Sequence, residues 1–184
     1  MTRTQLEHII RAAATLTDTD ALVVLGSQAI LGQYPHPPPE LTVSDEADIY
    51  PRDHPELADL IDGTIGELSP FHETFGYYAQ GIAPETAILP RGWQDRLIAL
   101  SNPNTRGATG WCLELHDLLL GKYVAGRAKD RRYIEAAIRH GLVQRDVLIE
   151  RVAALPVEPD RQAGIAMQVQ ADLARFSPSS QSAG

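Results

Sequence analysis

The chain commits itself early. Ala21-Leu22-Val23-Val24-Leu25 is an apolar run of strand length, it stops at Gly26-Ser27, and Gln28-Ala29-Ile30-Leu31 then has helical character. A strand that turns on glycine directly into a helix start belongs to a layered architecture of sheet and helix. The turn also has chemical potential. Glycine lets the backbone approach a ligand closely, and a helix N-terminus offers free N–H groups to phosphate oxygens, with the Ser27 hydroxyl as a further donor. Taken alone, Gly-Ser after a strand reads as a turn and cap.

The segments around this unit set the fold class. Thr4-Gln5-Leu6-Glu7 reads as a capping box with Thr4 as N-cap, opening a helix whose Leu6, Ile9, Ile10, Ala13 and Leu16 share one face. Pro35-His36-Pro37-Pro38-Pro39 must be a loop. Leu41-Thr42-Val43 is expected to resume extended structure, and Ala47-Asp48-Ile49-Tyr50 to form a strand stopped by Pro51. His54 to Leu68 reads as mostly helical, with Leu57, Leu60, Ile61 and Ile65 on one side. Four short strand-like runs follow at Tyr77–Ala79, Thr86–Leu89, Leu97–Leu100 and Gly110–Cys112. Leu113 to Gly141, Val143 to Leu155 and Asp160 to Phe176 then read as helices. This order predicts an α+β (mixed α/β) fold: a mixed sheet flanked by helices, with a helical C-terminal part. The expected organisation is a core over residues 1–112, a helical part over 113–176 packing on it, and a disordered polar tail over 177–184.

Composition removes several function classes. The 184 residues carry a net charge of −8, which argues against a basic surface over the whole protein, though cations gather between Lys122 and Arg139. No apolar run reaches the roughly 18 residues of a membrane span, so no membrane partner is expected. Cys112 is the single cysteine, which forbids an internal disulfide; with no export signal, a cytoplasmic location is expected. Beside Trp111 and Leu113, Cys112 reads as buried filler. None of the six histidines pairs at metal-ligand spacing, and His116, beside Asp117, is the one to follow. Trp93 reads as a core or hinge aromatic, with base stacking as the alternative.

Two further constellations carry chemistry. Glu46 and Asp48, two apart on a strand, point to one face. Side by side they repel unless a cation lies between them, and hard oxygen ligands suit Mg²⁺ (or Mn²⁺). By itself the triplet reads as a solvated acidic turn. The other is Asp117 to Arg132. On one continuous helix Lys122 and Lys129 project to nearly one side, with Asp130 about 80° round. A lysine there neutralises triphosphate charge and Asp130 holds it or a neighbouring arginine in place; alone, the segment is a charged helix face. Gly121 and Gly126 each cost about 1 kcal/mol inside a helix, which points to close packing there, against the strand carrying the acids.

In this order the three pieces resemble the minimal nucleotidyltransferases of the DNA polymerase β superfamily, and more narrowly the DUF6036 group, related to the AbiEii and MenT toxin-type enzymes. The residues that carry it are Gly26-Ser27, Glu46-x-Asp48-Ile49, and Asp117, Leu118, Lys122, Ala125, Arg127, Lys129 and Asp130 at the group's spacing. Thr86-Ala87-x-Leu89-Pro90-x-Gly92-Trp93-x-x-Arg96-Leu97 is similar to the group's middle segment.

The resemblance implies Mg²⁺-dependent transfer of a nucleotidyl group from an NTP to a hydroxyl. Glu46 and Asp48 hold the metal, Gly26 and Ser27 the β- and γ-phosphates, and Lys122 the triphosphate, supported by Arg127, Lys129 and Asp130. It implies tRNA as acceptor and a cognate antitoxin as partner. The alternatives are a protein-modifying AMPylator or a catalytically weakened, antitoxin-like partner-binding module. Two departures stand out: Glu46 takes a position where the superfamily usually has aspartate, and the spacing from Gly26-Ser27 to the acids is long, stretched by the proline loop. In addition, the third carboxylate has only Glu85 and Asp53 as candidates.

Overall fold

A computed structural model describes residues 1–177. Its centre is a five-stranded mixed sheet of β1 (Ala21–Val24), β2 (Glu46–Pro51), β3 (Tyr78–Gly81), β4 (Ile98–Leu100) and β5 (Thr109–Cys112), in the order β3-β2-β1-β5-β4. The pairs β1–β2 and β4–β5 are antiparallel, whereas β1–β5 and β2–β3 are parallel. The fold is therefore α+β with a mixed sheet. The residues expected as a tail lie outside the described ones except for Ser177. No helix among the described residues is long and apolar enough to cross a membrane.

Helix α1 (Arg3–Thr17) lays Leu6, Ile9, Ile10 and Ala13 on the sheet, all without exposed surface. Its capping box sits two residues earlier than the sequence pattern predicts. Thr2 is the N-cap, its hydroxyl accepting from the Gln5 N–H while the Gln5 side chain accepts from the Thr2 N–H. Glu7 is drawn off by tertiary contacts, accepting from the side chains of Asn102 (2.7 Å) and Asn104 (2.8 Å).

Several elements differ from expectation for identifiable reasons. Residues 41–43 form no strand: Pro39–Leu41 is a 3-10 turn, and Val43 is 79% exposed. Pro51 is the last residue of β2 rather than a stop beyond it, paired with Leu22. In the helical stretch, α3 covers only Ala58–Ile65 and turns Ala58, Ile61 and Ile65 inward, while Leu60 is exposed. An unforeseen helix, α4 (Pro70–Phe75), starts where the Ser69 hydroxyl accepts from the His72 N–H. The run Thr86–Leu89, bounded by Pro84 and Pro90, remains a loop after a 3-10 turn. The short helix α2 (Ile30–Gln33) follows β1 through a 3-10 turn at Ser27–Ala29.

The stretch 113–141 is two helices, α5 (Leu115–Ala125) and α6 (Ala128–Arg139). Gly126 ends α5 in the left-handed region (φ 65°), its N–H on the Lys122 carbonyl, and Arg127 is extended before α6 begins. Glycine adopts that conformation without the penalty of a Cβ, so Gly126 breaks the helix rather than burdening it. Gly121 does mark a close approach, but to the side chain of Leu89 and the carbonyl of Ile88, not to β2. Helices α7 (Arg145–Val152) and α8 (Pro159–Phe176) complete the C-terminal layer.

Candidate active site

Register places the acids. The antiparallel β1–β2 ladder pairs Val24 with Ile49, and one step further the Leu25 N–H donates to the Asp48 carbonyl at 2.9 Å. Asp48 is thereby set against the Gly26 turn. Gly26 has φ 62° and ψ −167°, and a Cβ there would fall 1.7 Å from Asp48 Oδ2. Only glycine fits, on both counts.

Glu46, two residues back on the same face, has Tyr78 of β3 as its cross-strand neighbour; the Tyr78 hydroxyl donates to Glu46 Oε2 at 3.4 Å. Asp48 is pushed up to about 7, first by burial, then by the Glu46 charge and a hydrogen bond with Glu46. Lys122 and Lys129 pull the other way and do not prevail. Burial and Glu46 likewise raise the Tyr78 phenol to about 12. The pair is therefore an electrostatic conflict that a shared proton relieves, and a divalent cation would relieve it further.

Lys122 is the second centre. Its ammonium donates to Ser27 Oγ (2.9 Å) and Asp130 Oδ1 (3.0 Å) and lies 4.4 Å from the centroid of the Tyr133 ring. Burial lowers the lysine's pKa, and the Asp130 hydrogen bond and charge work against that. Asp130 is 4% exposed, and its Oδ2 has no hydrogen-bond partner among the described residues. The Tyr133 hydroxyl donates to the Ser27 carbonyl at 3.0 Å, so Ser27 is held from both sides. Because Ser27 Oγ accepts from Lys122, its own hydrogen is free to be given to a ligand oxygen.

These groups line a cleft with two lobes. One, of about 420 Å³, runs from Gly26 over Ile82, the 86–89 loop and α5 to Arg127, Asp130 and Arg161. The other, of about 700 Å³, lies between residues 40–44 and one face of α6. Ser27, Glu46, Asp48, Lys122 and Lys129 line both. The eight residues to which the resemblance gives roles, Gly26, Ser27, Glu46, Asp48, Lys122, Arg127, Lys129 and Asp130, thus border one cleft, with Arg127 and Lys129 at exposed positions.

Neither candidate for the third acid joins them. Asp53 lines a separate surface depression with Asp18 and Asp20, and Glu85 is exposed on the turn before the 86–89 loop. No cluster of three or more metal-ligating side chains occurs among the described residues. Tyr78, Tyr133 and Arg161 were missed. Tyr133 follows Asp130 by one helical turn, a spacing that could have flagged it; nothing local marks Tyr78 or Arg161. Trp93 packs half-buried against the core and lines neither lobe. Cys112 is fully buried, its thiol pushed up to about 12 by burial.

A buried ionic network stands behind the site. Asp117, with no exposed surface, accepts two hydrogen bonds from Arg96, at 2.7 and 3.0 Å, and meets Arg151 at 3.3 Å. Arg151 also pairs with Glu114. His116 Nε2 accepts from the Gln144 N–H, so its Nδ1–H donates to Glu114 at 2.7 Å. Burial alone would raise Glu114, but His116 and Arg151 hold it down at about 2. Asp117 and His116 are thus fasteners of α5 and α7, not cleft residues.

A family model described as nucleotidyltransferase of unknown function (DUF6036) matches residues 4–167. No curated protein and no solved structure matches the chain.

Proposed function

Because the chain belongs to the DUF6036 family of nucleotidyltransferases, we propose that it transfers a nucleotidyl group from an NTP to a hydroxyl acceptor in a Mg²⁺-dependent reaction. The observation that carries this reading is the arrangement of Glu46 and Asp48 on one face of β2, with Asp48 directly against the Gly26 turn and the buried Lys122 held on Ser27 in the same cleft. Two adjacent carboxylates with hard oxygen donors fit Mg²⁺, and Glu46 and Asp48 would hold it. When bound, such an ion polarises the phosphoryl oxygens and lowers the pKa of a coordinated hydroxyl.

The chain's own residues do the rest. The Gly26-Ser27 turn and the Ser27 hydroxyl bind the β- and γ-phosphates. Lys122, aimed by Asp130 and the Tyr133 ring, places positive charge where the leaving pyrophosphate gains negative charge. Arg127 and Lys129 flank it at the α5–α6 junction. The acceptor oxygen forms its bond to the α-phosphorus, the bond to the bridging oxygen breaks, pyrophosphate leaves with that electron pair, and the acceptor's proton passes to solvent water.

The smaller lobe suits the nucleotide, with apolar walls from Ile82, Leu89, Leu118 and Val124 for a base. A thermal-shift titration with each NTP, with and without Mg²⁺ or Mn²⁺, tests the reading. Stabilisation that requires both NTP and metal is expected, and Asp48→Ala should lose it; no shift with any NTP refutes the proposal.

A further inference from the structure

Arg161 lies far along the chain from the Gly-Ser turn, the acids and Lys122, yet it lines the smaller lobe with them. It stands in the first turn of α8, and that turn is pinned. The neighbouring Gln162 carboxamide donates to the Val152 and Ala153 carbonyls at the end of α7, both at 3.1 Å. Further along, the Tyr123 hydroxyl of α5 donates to Asp172 at 3.1 Å, and Ile165, Val169 and Leu173 are buried under the helix. An arginine on so fixed a support has little backbone freedom left to lose when it binds.

Arg161 itself is exposed, and among the described residues its side chain makes one hydrogen bond, from Nη2 to the Val124 carbonyl at 2.8 Å. That contact caps the last turn of α5 and uses one of five N–H donors. Val124 is two residues past Lys122 and three before Arg127, so the guanidinium sits at the α5–α6 junction. No carboxylate among the described residues lies within ion-pair distance of Arg161, nor of Arg127 or Lys129 on the same lobe. The lobe's three acids are engaged elsewhere: Asp130 with Lys122, and Glu46 and Asp48 with each other. Unpaired cations bordering one cavity repel one another, and an anion with several oxygens relieves that.

We infer that Arg161 grips the γ-phosphate of the NTP, on oxygens that face away from Ser27, and so makes the site select triphosphates over diphosphates. This rests on the nucleotidyltransferase reading. A forked guanidinium matches the terminal phosphate, which carries three free oxygens. A base carbonyl would need one donor and no charge, and would leave the crowding of cations unrelieved. Arg161 forms no covalent bond in the transfer; it holds the part of the substrate that departs as pyrophosphate. The C-terminal helix thereby completes a site whose other groups come from β1, β2, α5 and α6.

Isothermal calorimetry tests it, with ATP, CTP, GTP and UTP and the four matching diphosphates, each with Mg²⁺, on the intact chain and on Arg161→Gln. The parent should bind its preferred NTP about tenfold or more tighter than the matching diphosphate. Arg161→Gln should lose most of that ratio while diphosphate affinity stays close to the parent's. Arg161→Lys, which keeps the charge without the fork, should retain an intermediate ratio. A ratio unchanged in Arg161→Gln overturns the assignment and leaves the transferase reading standing; a lowered melting temperature of the nucleotide-free variant would then assign Arg161 to capping α5 alone. Equal weakening of triphosphate and diphosphate overturns it too, as does a loss confined to one base. A parent that binds no NTP overturns both readings.

Discussion

Replacing Asp48 by asparagine should stabilise the metal-free protein at pH 8 and leave it nearly unchanged at pH 4. The folded state holds the Asp48 proton to about pH 7, against an ordinary value of 3.8. Well below pH 3.8 the group is protonated in both folded and unfolded chains and costs nothing. As pH rises, the unfolded chain gives up the proton first, so folding stability falls until the folded group also ionises near pH 7. Each pH unit in that window corresponds to about 1.4 kcal/mol, or about 4 kcal/mol in all. Asp48 opens to the cleft on one side, and water there screens the charge, which brings the expected cost to roughly 2 kcal/mol.

Asparagine matches the protonated acid in shape and can still donate to Glu46, so the variant keeps the hydrogen bond and is spared the penalty. Urea unfolding of both proteins between pH 4 and pH 8, followed through Trp93 and Trp111, gives the difference directly. Carboxylates outside the Glu46–Asp48 pair titrate alike in the two proteins and cancel. Mg²⁺ should then raise the stability of the parent more at pH 8 than at pH 5, since it competes with the shared proton, and should do little for the variant. A variant that is less stable than the parent by the same amount at every pH would refute this account of the pair.

Three further outcomes follow from the same contacts. Gly26→Ala should cost about 1–3 kcal/mol for its backbone conformation alone and displace the Asp48 carboxylate, so melting temperature and metal-dependent nucleotide shift should fall together in differential scanning fluorimetry. Lys122→Met strands a buried Asp130 and should cost about 3–5 kcal/mol, whereas Lys122→Met with Asp130→Leu should recover most of that stability in urea titrations without recovering the nucleotide shift. In the network behind the site, Glu114 is held at about 2 from an ordinary 4.5, so its stabilisation is full above pH 4.5 and lost as pH falls toward 2; Glu114→Gln should flatten that acid limb in melts between pH 2 and pH 5.

How far the site was legible from sequence depended on whether each residue's geometry is local. The spacing of Glu46 and Asp48 requires only that a strand form, because alternation then sets both on one face. Their approach to Gly26 needs the β1–β2 register, which no local pattern states. The same limit explains the 86–89 loop, where short apolar composition suggests a strand but the flanking prolines leave a wall of the cleft. It explains Glu7 too, which has the spacing of a capping partner for Thr4 and is instead claimed by asparagines far along the chain.

The α5–α6 junction is the decisive case. On an unbroken helix, Lys122 and Asp130 would stand about 12 Å apart along the axis, beyond any direct contact. The segment looked like one helix because its only interruption is a glycine, and glycine inside a helix is merely costly. Gly126 instead turns the chain, and the two residues meet at 3.0 Å. The spacing that gave the resemblance its specificity is thus the spacing of a helix-break-helix unit. Asp117 fixes α5 to Arg96, Lys122 reaches back to Ser27, and Asp130 returns on the next helix to hold Lys122 in place. A Gly126→Ala substitution therefore acts on the site through backbone direction, pulling Asp130 from Lys122 without touching either side chain.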